Sequence, residues 1–283
     1  MDNGVSGFLQ SRRARIRPQE VGLPSHGRRR VPGLRREEVA QLAGVSVDYC
    51  IRLEQGRAQN MSDAVLEAIG RVLRLDETEQ AHLRDLIRPA RSGRRAVSRG
   101  RQGVRPGLQL LLDSMAGTPA FVLGRRMDVL AWNALADAIA GFSGKPPAER
   151  NQARQVFLDP SAPVCYPNWA AVAAETVAFL RLATGRHPDD PALSALVGEL
   201  SSKSTDFRRL WVDHQVKEKT YGTKRLVHDV AGQLEFGYET LALPGDPDQL
   251  LVAYTVVPGS ATAERLALLA SWSASGTQRA EAS

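Results

Sequence analysis

Five residues near the start of the chain have side chains that suit the edges of DNA bases. They are Ser46, Val47, Asp48, Tyr49 and Arg52. An arginine can donate two hydrogen bonds to guanine, an aspartate can accept from cytosine, and apolar side-chain atoms can meet a thymine methyl group. We expect these five residues to read bases or to anchor the segment that does. Which contact each one makes depends on the angle at which the segment docks.

Arginines around this segment suit phosphate rather than bases, because a guanidinium group matches a phosphate bidentately. Arg36 precedes the segment and Arg57 follows it, and three consecutive arginines lie upstream at Arg28, Arg29 and Arg30. We expect these side chains to contact the DNA backbone. For the three consecutive arginines the alternative is a solvated loop.

Two short helices joined by a tight turn are predicted to position these side chains. Apolar residues recur at helical spacing over 39–43, and Gly44 tolerates the left-handed backbone that ends a helix. Ser46 is a good N-cap for the second helix, whose Cys50 and Leu53 would face the first. Val47, Asp48, Tyr49 and Arg52 are then left on the outer side, as in a helix-turn-helix motif. A plain helical hairpin with a solvated outer face is the alternative.

Further helices are predicted on both sides of this motif, and together they indicate an all-α domain over residues 1–90. An amphipathic helix over 5–16 precedes an arginine-rich loop, and helices are expected from Ser62 and from Asp76 up to Pro89. Residues 91–105 mix six arginines with glycine and serine and have no periodic apolar face, which predicts a linker.

The positive charge of the chain is concentrated in this first part. Residues 1–105 contain 21 Arg, no Lys and 12 acidic residues, a net charge of +9, whereas the remainder carries −3. This asymmetry indicates that the first part binds a polyanion and that the second does not. No segment is apolar over the length needed to cross a membrane, so we expect a cytoplasmic protein without membrane contact.

Residues 106–272 are predicted to form an α+β domain. Two short strands, several helices, three further strands and a last helix follow one another, which is typical of a PAS-like antiparallel sheet with helices packed on it. In the middle strand of the last three, Leu234, Phe236 and Tyr238 alternate with polar residues and should share a face. Residues 273–283 are small and polar, and a disordered tail is expected there.

Catalytic and metal sites are not predicted. Asp213 and His214 are neighbours that would not face each other on a helix, and the spacing of Ser201, Ser202 and Lys203 does not suit a nucleophile. The cysteines and histidines have no zinc-like spacing. We therefore expect no enzyme activity, no metal and no cofactor.

A ligand pocket in the second domain is the remaining candidate site, because such pockets are mostly apolar with a few polar anchors. The residues that could line it are Trp132, Phe179, Trp211, His214, Arg225, Leu234, Phe236 and Tyr238. The alternative is that the aromatic residues only fill the core.

Two resemblances add to this interpretation. Ala40, the run 44–46 and the closing run 53–56 resemble the helix-turn-helix of phage repressors, also called the xenobiotic-response-element type. Runs at 118–123, 128–133, 157–160, 166–169, 207–211, 222–225 and 268–272 resemble MmyB-like transcription regulators, over about residues 6–272 in all. That resemblance implies a PAS-like ligand-binding domain and a fatty-acid-like ligand.

The sequence thus predicts a transcription regulator that binds double-stranded DNA as a homodimer and senses a small apolar molecule. The alternative function for the second domain is dimerisation or the binding of a protein partner without a ligand. Two-fold pairing is the common way for a short recognition helix to lengthen its DNA site.

Overall fold

The computed structural model describes residues 4–23, 33–57, 61–88, 103–218 and 220–281. The chain divides into two compact units. The first unit comprises residues 1–97, 177–194 and 208–218, and the second comprises 98–176, 195–207 and 219–283. The predicted linker lies outside the described residues except for 103–105.

The N-terminal part of the first unit is helical, which confirms the predicted all-α domain. Its helices are α1 (Gly4–Ala14), α2 (Arg36–Ala43), α3 (Val47–Glu54), α4 (Asp63–Val72) and α5 (Glu77–Ile87), with a 3₁₀ turn at Pro18–Val21. Asp76 begins α5 with a capping box, in which its side chain accepts from the backbone of Glu79 and the Glu79 side chain accepts in return.

One apolar core holds these helices together. Phe8, Leu34, Leu53, Leu66 and Leu83 are all fully buried, and each comes from a different element or connection. Burying apolar side chains of this size contributes about 1.5–3 kcal/mol each. Helix α3 therefore packs against α1, α2 and α4 through its inward face, and its outward face stays exposed to solvent.

The second unit contains an antiparallel sheet of five strands in the order β2-β1-β5-β4-β3. The strands are β1 (Ala120–Gly124), β2 (Val129–Trp132), β3 (Tyr221–His228), β4 (Gly232–Leu243) and β5 (Asp246–Thr255). The first two strands precede a run of helices and the last three follow it, as expected. The predicted α+β, PAS-like class of the C-terminal domain is confirmed.

Helices make up the rest of the second unit. These are α6 (Pro106–Ser114), α7 (Ala134–Ala140), α8 (Gln152–Leu158), α9 (Ala162–Cys165) and α13 (Ala261–Glu281). Helices α10 (Trp169–Arg186), α11 (Pro191–Lys203) and α12 (Thr205–Val212) contribute residues to both units. Helix α13 runs on to Glu281, past Trp272 where it was expected to end; residues 273–281 contain no proline, the residue that would break the helix.

The expected alternation of β4 is present. Leu234, Phe236 and Tyr238 are buried, whereas Glu235 and Glu239 between and beside them are exposed. Phe236 stacks on Tyr254 of the neighbouring strand, with ring centroids 5.1 Å apart. Burial raises the pKa of Tyr254. Strand β4 therefore presents its apolar side to the core of the unit.

Candidate DNA-binding surface and ligand-binding groove

The turn before α3 has the geometry that its residues predict. Gly44 adopts φ 68°, in the left-handed region, and ends α2. Ser46 caps α3, because its hydroxyl oxygen accepts from the Tyr49 backbone N–H at 3.2 Å. These two residues set the direction in which α3 leaves the turn.

The two sides of α3 differ as expected. Cys50 and Leu53 face the core and are 5% and 1% exposed. Val47 and Tyr49 are 37% and 38% exposed, and Asp48 and Arg52 also lie at the surface. The Arg52 guanidinium carbon lies 5.9 Å from the centroid of the Tyr49 ring. Helix α3 thus presents a mixed polar and apolar surface with its N-terminal end uncovered.

A buried carboxylate at the end of α3 ties it to two other helices. Glu54 is 5% exposed, and its Oε1 accepts from Arg13 Nε of α1 at 3.0 Å. Its Oε2 accepts from Arg36 Nε at the start of α2. Arg13 also donates to the Leu34 carbonyl at 2.8 Å. This role of Glu54 was not predicted from the sequence, although an acid four residues after the inward-facing Cys50 was an available signal.

The predicted phosphate contacts are placed differently from one another. The Arg36 side chain remains 45% exposed while it pairs with Glu54, so an outward edge is available. Arg57 is exposed just after Gly56, whose φ is 70°. Arg28, Arg29 and Arg30 lie outside the described residues.

The residues predicted to line a ligand pocket fall in two groups. Trp132, Arg225, Leu234, Phe236 and Tyr238 belong to the second unit. Phe179, Trp211 and His214 belong to the first unit. In the second unit, Trp132 packs against Phe142 with ring centroids 5.5 Å apart, and Phe236 is fully buried.

Arg225 and Leu234 line one groove on the second unit. The groove has a volume of about 350 Å³ and is also lined by Pro167, Leu226, Gln233, Glu235, Thr262 and Arg265. Arg225 Nη2 lies 3.0 Å from Glu235 Oε1, and both side chains are more than half exposed. The Thr262 hydroxyl accepts from the Glu235 backbone N–H at 3.0 Å. The groove therefore joins apolar side chains to two arginines.

Comparison with known protein families covers most of the chain. The model of the MmyB-like transcription regulator ligand binding domain matches residues 104–269, which is more than half of the sequence. The chain belongs to the MmyB-like transcription regulators. A helix-turn-helix domain model matches residues 7–83. A search of curated proteins found no match.

Family membership gives this MmyB-like regulator its general function. It is a DNA-binding transcription regulator with a ligand-binding domain. The DNA-binding part includes α3, whose outer face carries the predicted base contacts. Among the described residues, no group of three or more His, Cys, Asp or Glu could hold a metal ion, and no helix is long and apolar enough to cross a membrane.

Sequence reasoning missed two basic residues that the structure places beside predicted ones. Arg265 of α13 lines the groove with Arg225, and its Nη1 donates to the Gln233 carbonyl. Arg181 of α10 lies over the Trp211 ring at 4.1 Å and within 3.0 Å of His214 Nδ1. The partners of both arginines lie on other elements of the chain, so spacing within the helix could not reveal them.

Proposed function

We propose that α3 enters the major groove of DNA and reads bases with Val47, Asp48, Tyr49 and Arg52, and that the C-terminal domain binds a small apolar acid. The observation that carries the first half is the division of α3 into a buried inner face and an exposed outer face. A recognition helix needs one side free along its N-terminal turns.

Each exposed side chain of α3 has a chemistry that suits a base pair. Arg52 is able to donate bidentately to guanine, and Asp48 accepts from cytosine N4. Val47 and Tyr49 present apolar atoms to a thymine methyl. Ser46 holds the first turn through its cap, and its backbone lies where helix N-termini approach phosphate.

Backbone contacts complete the proposed DNA interface. Arg36 and Arg57 flank α3 in sequence and are both exposed. Arg28, Arg29 and Arg30 are assigned to phosphate on their charge and on their place in the basic half of the chain. Such contacts release counterions, so we expect affinity for any duplex to fall steeply with salt.

The groove beside β4 supports the ligand half of the proposal. Leu226 and Leu234 supply apolar surface, and Arg225 and Arg265 supply positive charge at the same opening. A fatty-acid-like molecule has this combination of a chain and a carboxylate. Its carboxylate would compete with Glu235 for Arg225, and an arginine pair would offset the cost of desolvating it.

A second candidate function for the C-terminal domain is dimerisation. Leu268 and Trp272 lie one turn apart on α13 and are 70% and 66% exposed. They border a groove of about 450 Å³ that also includes Val230 and Leu269. Exposed apolar surface of this kind is typical of protein–protein contacts, so we propose that the regulator is a homodimer.

Organic extraction of the purified full-length protein, followed by mass spectrometry, tests the ligand proposal. A stoichiometric small acid supports it. A follow-up titration with palmitate compares Arg225→Ala and Arg265→Ala with Arg105→Ala, whose side chain is similarly exposed and pairs with Asp246. We expect weaker palmitate binding in the first two variants only. An empty protein that also fails to bind palmitate would favour the dimerisation function.

A further inference from the structure

Two parts of the ligand-binding domain sequence belong to the same compact unit as the DNA-binding helices. Residues 177–194 and 208–218 lie within the region matched by the ligand-binding domain model, yet they pack with residues 1–97. They comprise the second half of α10, the start of α11, the end of α12 and the turn after it. The contacts they make with α1 and α5 are specific and largely buried.

His214 is the point at which two buried arginines meet. Arg12 of α1 is 2% exposed and donates from Nη2 to the His214 carbonyl at 2.8 Å. Arg181 of α10 is 7% exposed, and its Nη1 lies 3.0 Å from His214 Nδ1. We call Arg12, Arg181 and His214 the arginine latch. His214 adopts φ 50°, a left-handed conformation that a residue with a side chain keeps only where the surroundings fix it.

The positive charge of Arg12 is also balanced by a carboxylate of α5, that of Glu79. Nε of the Arg12 guanidinium lies 2.8 Å from Glu79 Oε1, and the guanidinium carbon atom lies 4.4 Å from the centroid of the Phe8 ring. Burial lowers the pKa of Arg12 to about 10, and Glu79 opposes that shift, so Arg12 remains charged at neutral pH. A buried charge without partners is costly, so Arg12 depends on both Glu79 and His214.

Two glycines allow the close approach of these elements. A side-chain carbon added to Gly7 of α1 would overlap the His214 ring. One added to Gly185 of α10 would lie 2.6 Å from His82 Cε1 of α5. Residues 1–97 therefore supply a glycine, Gly7, that faces His214, and residues 177–194 supply a glycine, Gly185, that faces His82. The two histidine rings occupy space that a larger residue at Gly7 or Gly185 would fill.

Adjacent residues of α1 make the latch contact and the contact that holds α3. Arg12 binds His214, and its neighbour Arg13 binds Glu54 at the end of α3. Both arginines belong to α1. A displacement of α1 would therefore change Glu54 and α3 together.

We propose that the arginine latch couples residues 177–194 and 208–218 to the DNA-binding helices. The position of these segments then sets the position of α1, and through α1 the DNA affinity of α3. Helices α10 and α12 also contribute residues to the second unit, which gives the ligand-binding domain a covalent route to the latch. This coupling rests on the proposed role of α3 in DNA binding and requires no particular ligand.

The test compares two full-length variants. Arg181→Leu breaks the latch, whereas Arg154→Leu breaks the Arg154–Glu199 pair of the second unit and serves as the control. Amide hydrogen exchange is followed in peptides of α1 and α3, and affinity is measured for a duplex selected from random DNA by the wild-type protein. Arg181 also donates from Nη2 to the Trp211 carbonyl, so Arg181→Leu removes two charge-assisted hydrogen bonds. We expect at least about tenfold faster exchange in α1 and at least about tenfold weaker DNA binding, since about tenfold corresponds to the loss of a single such bond.

The control should change neither quantity, and Arg181→Lys should be intermediate. If Arg181→Leu does not fold, His214→Asn replaces it, because asparagine tolerates a left-handed backbone and removes the ring. Unchanged exchange in α1 would overturn the latch. Faster exchange in α1 with unchanged DNA affinity would overturn its link to DNA binding.

Discussion

Glu54 of α3 and Arg13 of α1 form a buried ion pair in which Glu54 Oε1 lies 2.9 Å from Arg13 Nη2 and 3.0 Å from Nε. The side chains are 6% and 12% exposed. Because Arg36 of α2 binds the second carboxylate oxygen, one residue fixes the end of the recognition helix to both preceding helices. The outer face of α3 depends on this contact for its orientation.

Removing the Glu54 carboxylate should therefore destabilise the DNA-binding unit. We expect Glu54→Ala to lower the free energy of unfolding by about 3–5 kcal/mol, since it leaves the largely buried Arg13 without its carboxylate partner. Glu67→Ala is the control, because its pair with Arg84 is exposed and is worth about 1 kcal/mol or less. Urea unfolding measures both. Equal, small losses in the two variants would show that Glu54 does not hold α3.

The pH dependence of stability should report on His82 of α5. Burial, and then the positive charges of Arg181 and Arg12, lower its pKa from 6.5 to about 3. Between these two values the unfolded chain binds one more proton than the folded chain, so the free energy of unfolding falls as pH falls below 6.5. From pH 7 to pH 5 the loss attributable to His82 is about 2 kcal/mol.

His82→Phe is the variant that isolates this effect, since its ring can pack on Phe8 as the imidazole does, at a centroid distance of 5.1 Å. Urea unfolding should show that the free energy of unfolding falls more between pH 7 and pH 5 in the wild-type protein than in His82→Phe. Equal losses of the free energy of unfolding in the two proteins would mean that His82 is already protonated in the folded state at pH 5.

Leu234 of β4 should distinguish a ligand groove from a filled core. It is 2% exposed but lines the groove that contains Arg225 and Arg265. We expect Leu234→Trp to fill this space with little loss of stability and to weaken palmitate binding. Leu112→Trp is the matched control, because Leu112 lies in a packed cluster. We expect this variant to lose about 1–3 kcal/mol in its free energy of unfolding. Thermal unfolding and palmitate titration compare them, and a Leu234→Trp protein as unstable as the control would exclude the groove.

Local patterns in the sequence predicted most of the fold. The Gly44 turn, the Ser46 cap and the alternation of β4 are all confirmed, since each depends on neighbouring residues. The short helix α9 was missed because its four residues, Ala162–Cys165, are too few to show a periodic apolar pattern.

Contacts between distant residues could not be predicted in this way. Nothing in the spacing of Arg12 shows that it meets His214, or that Arg181 lies over Trp211. Periodicity indicates which residues face inward but not which element they face. The aromatic residues proposed as one pocket are therefore divided between two compact units, and their role in ligand binding remains a proposal.

Binding-site selection from random DNA determines whether the outer face of α3 reads DNA sequence. The selection compares the wild-type protein with Arg52→Ala and Arg29→Ala. We predict that Arg52→Ala loses its preference at one position of the half-site, by about 1–3 kcal/mol. Arg29→Ala should select the same sequence with weaker binding and a lower salt dependence. An Arg52→Ala protein that selects the unchanged wild-type sequence with a uniform loss of affinity would contradict base reading by α3.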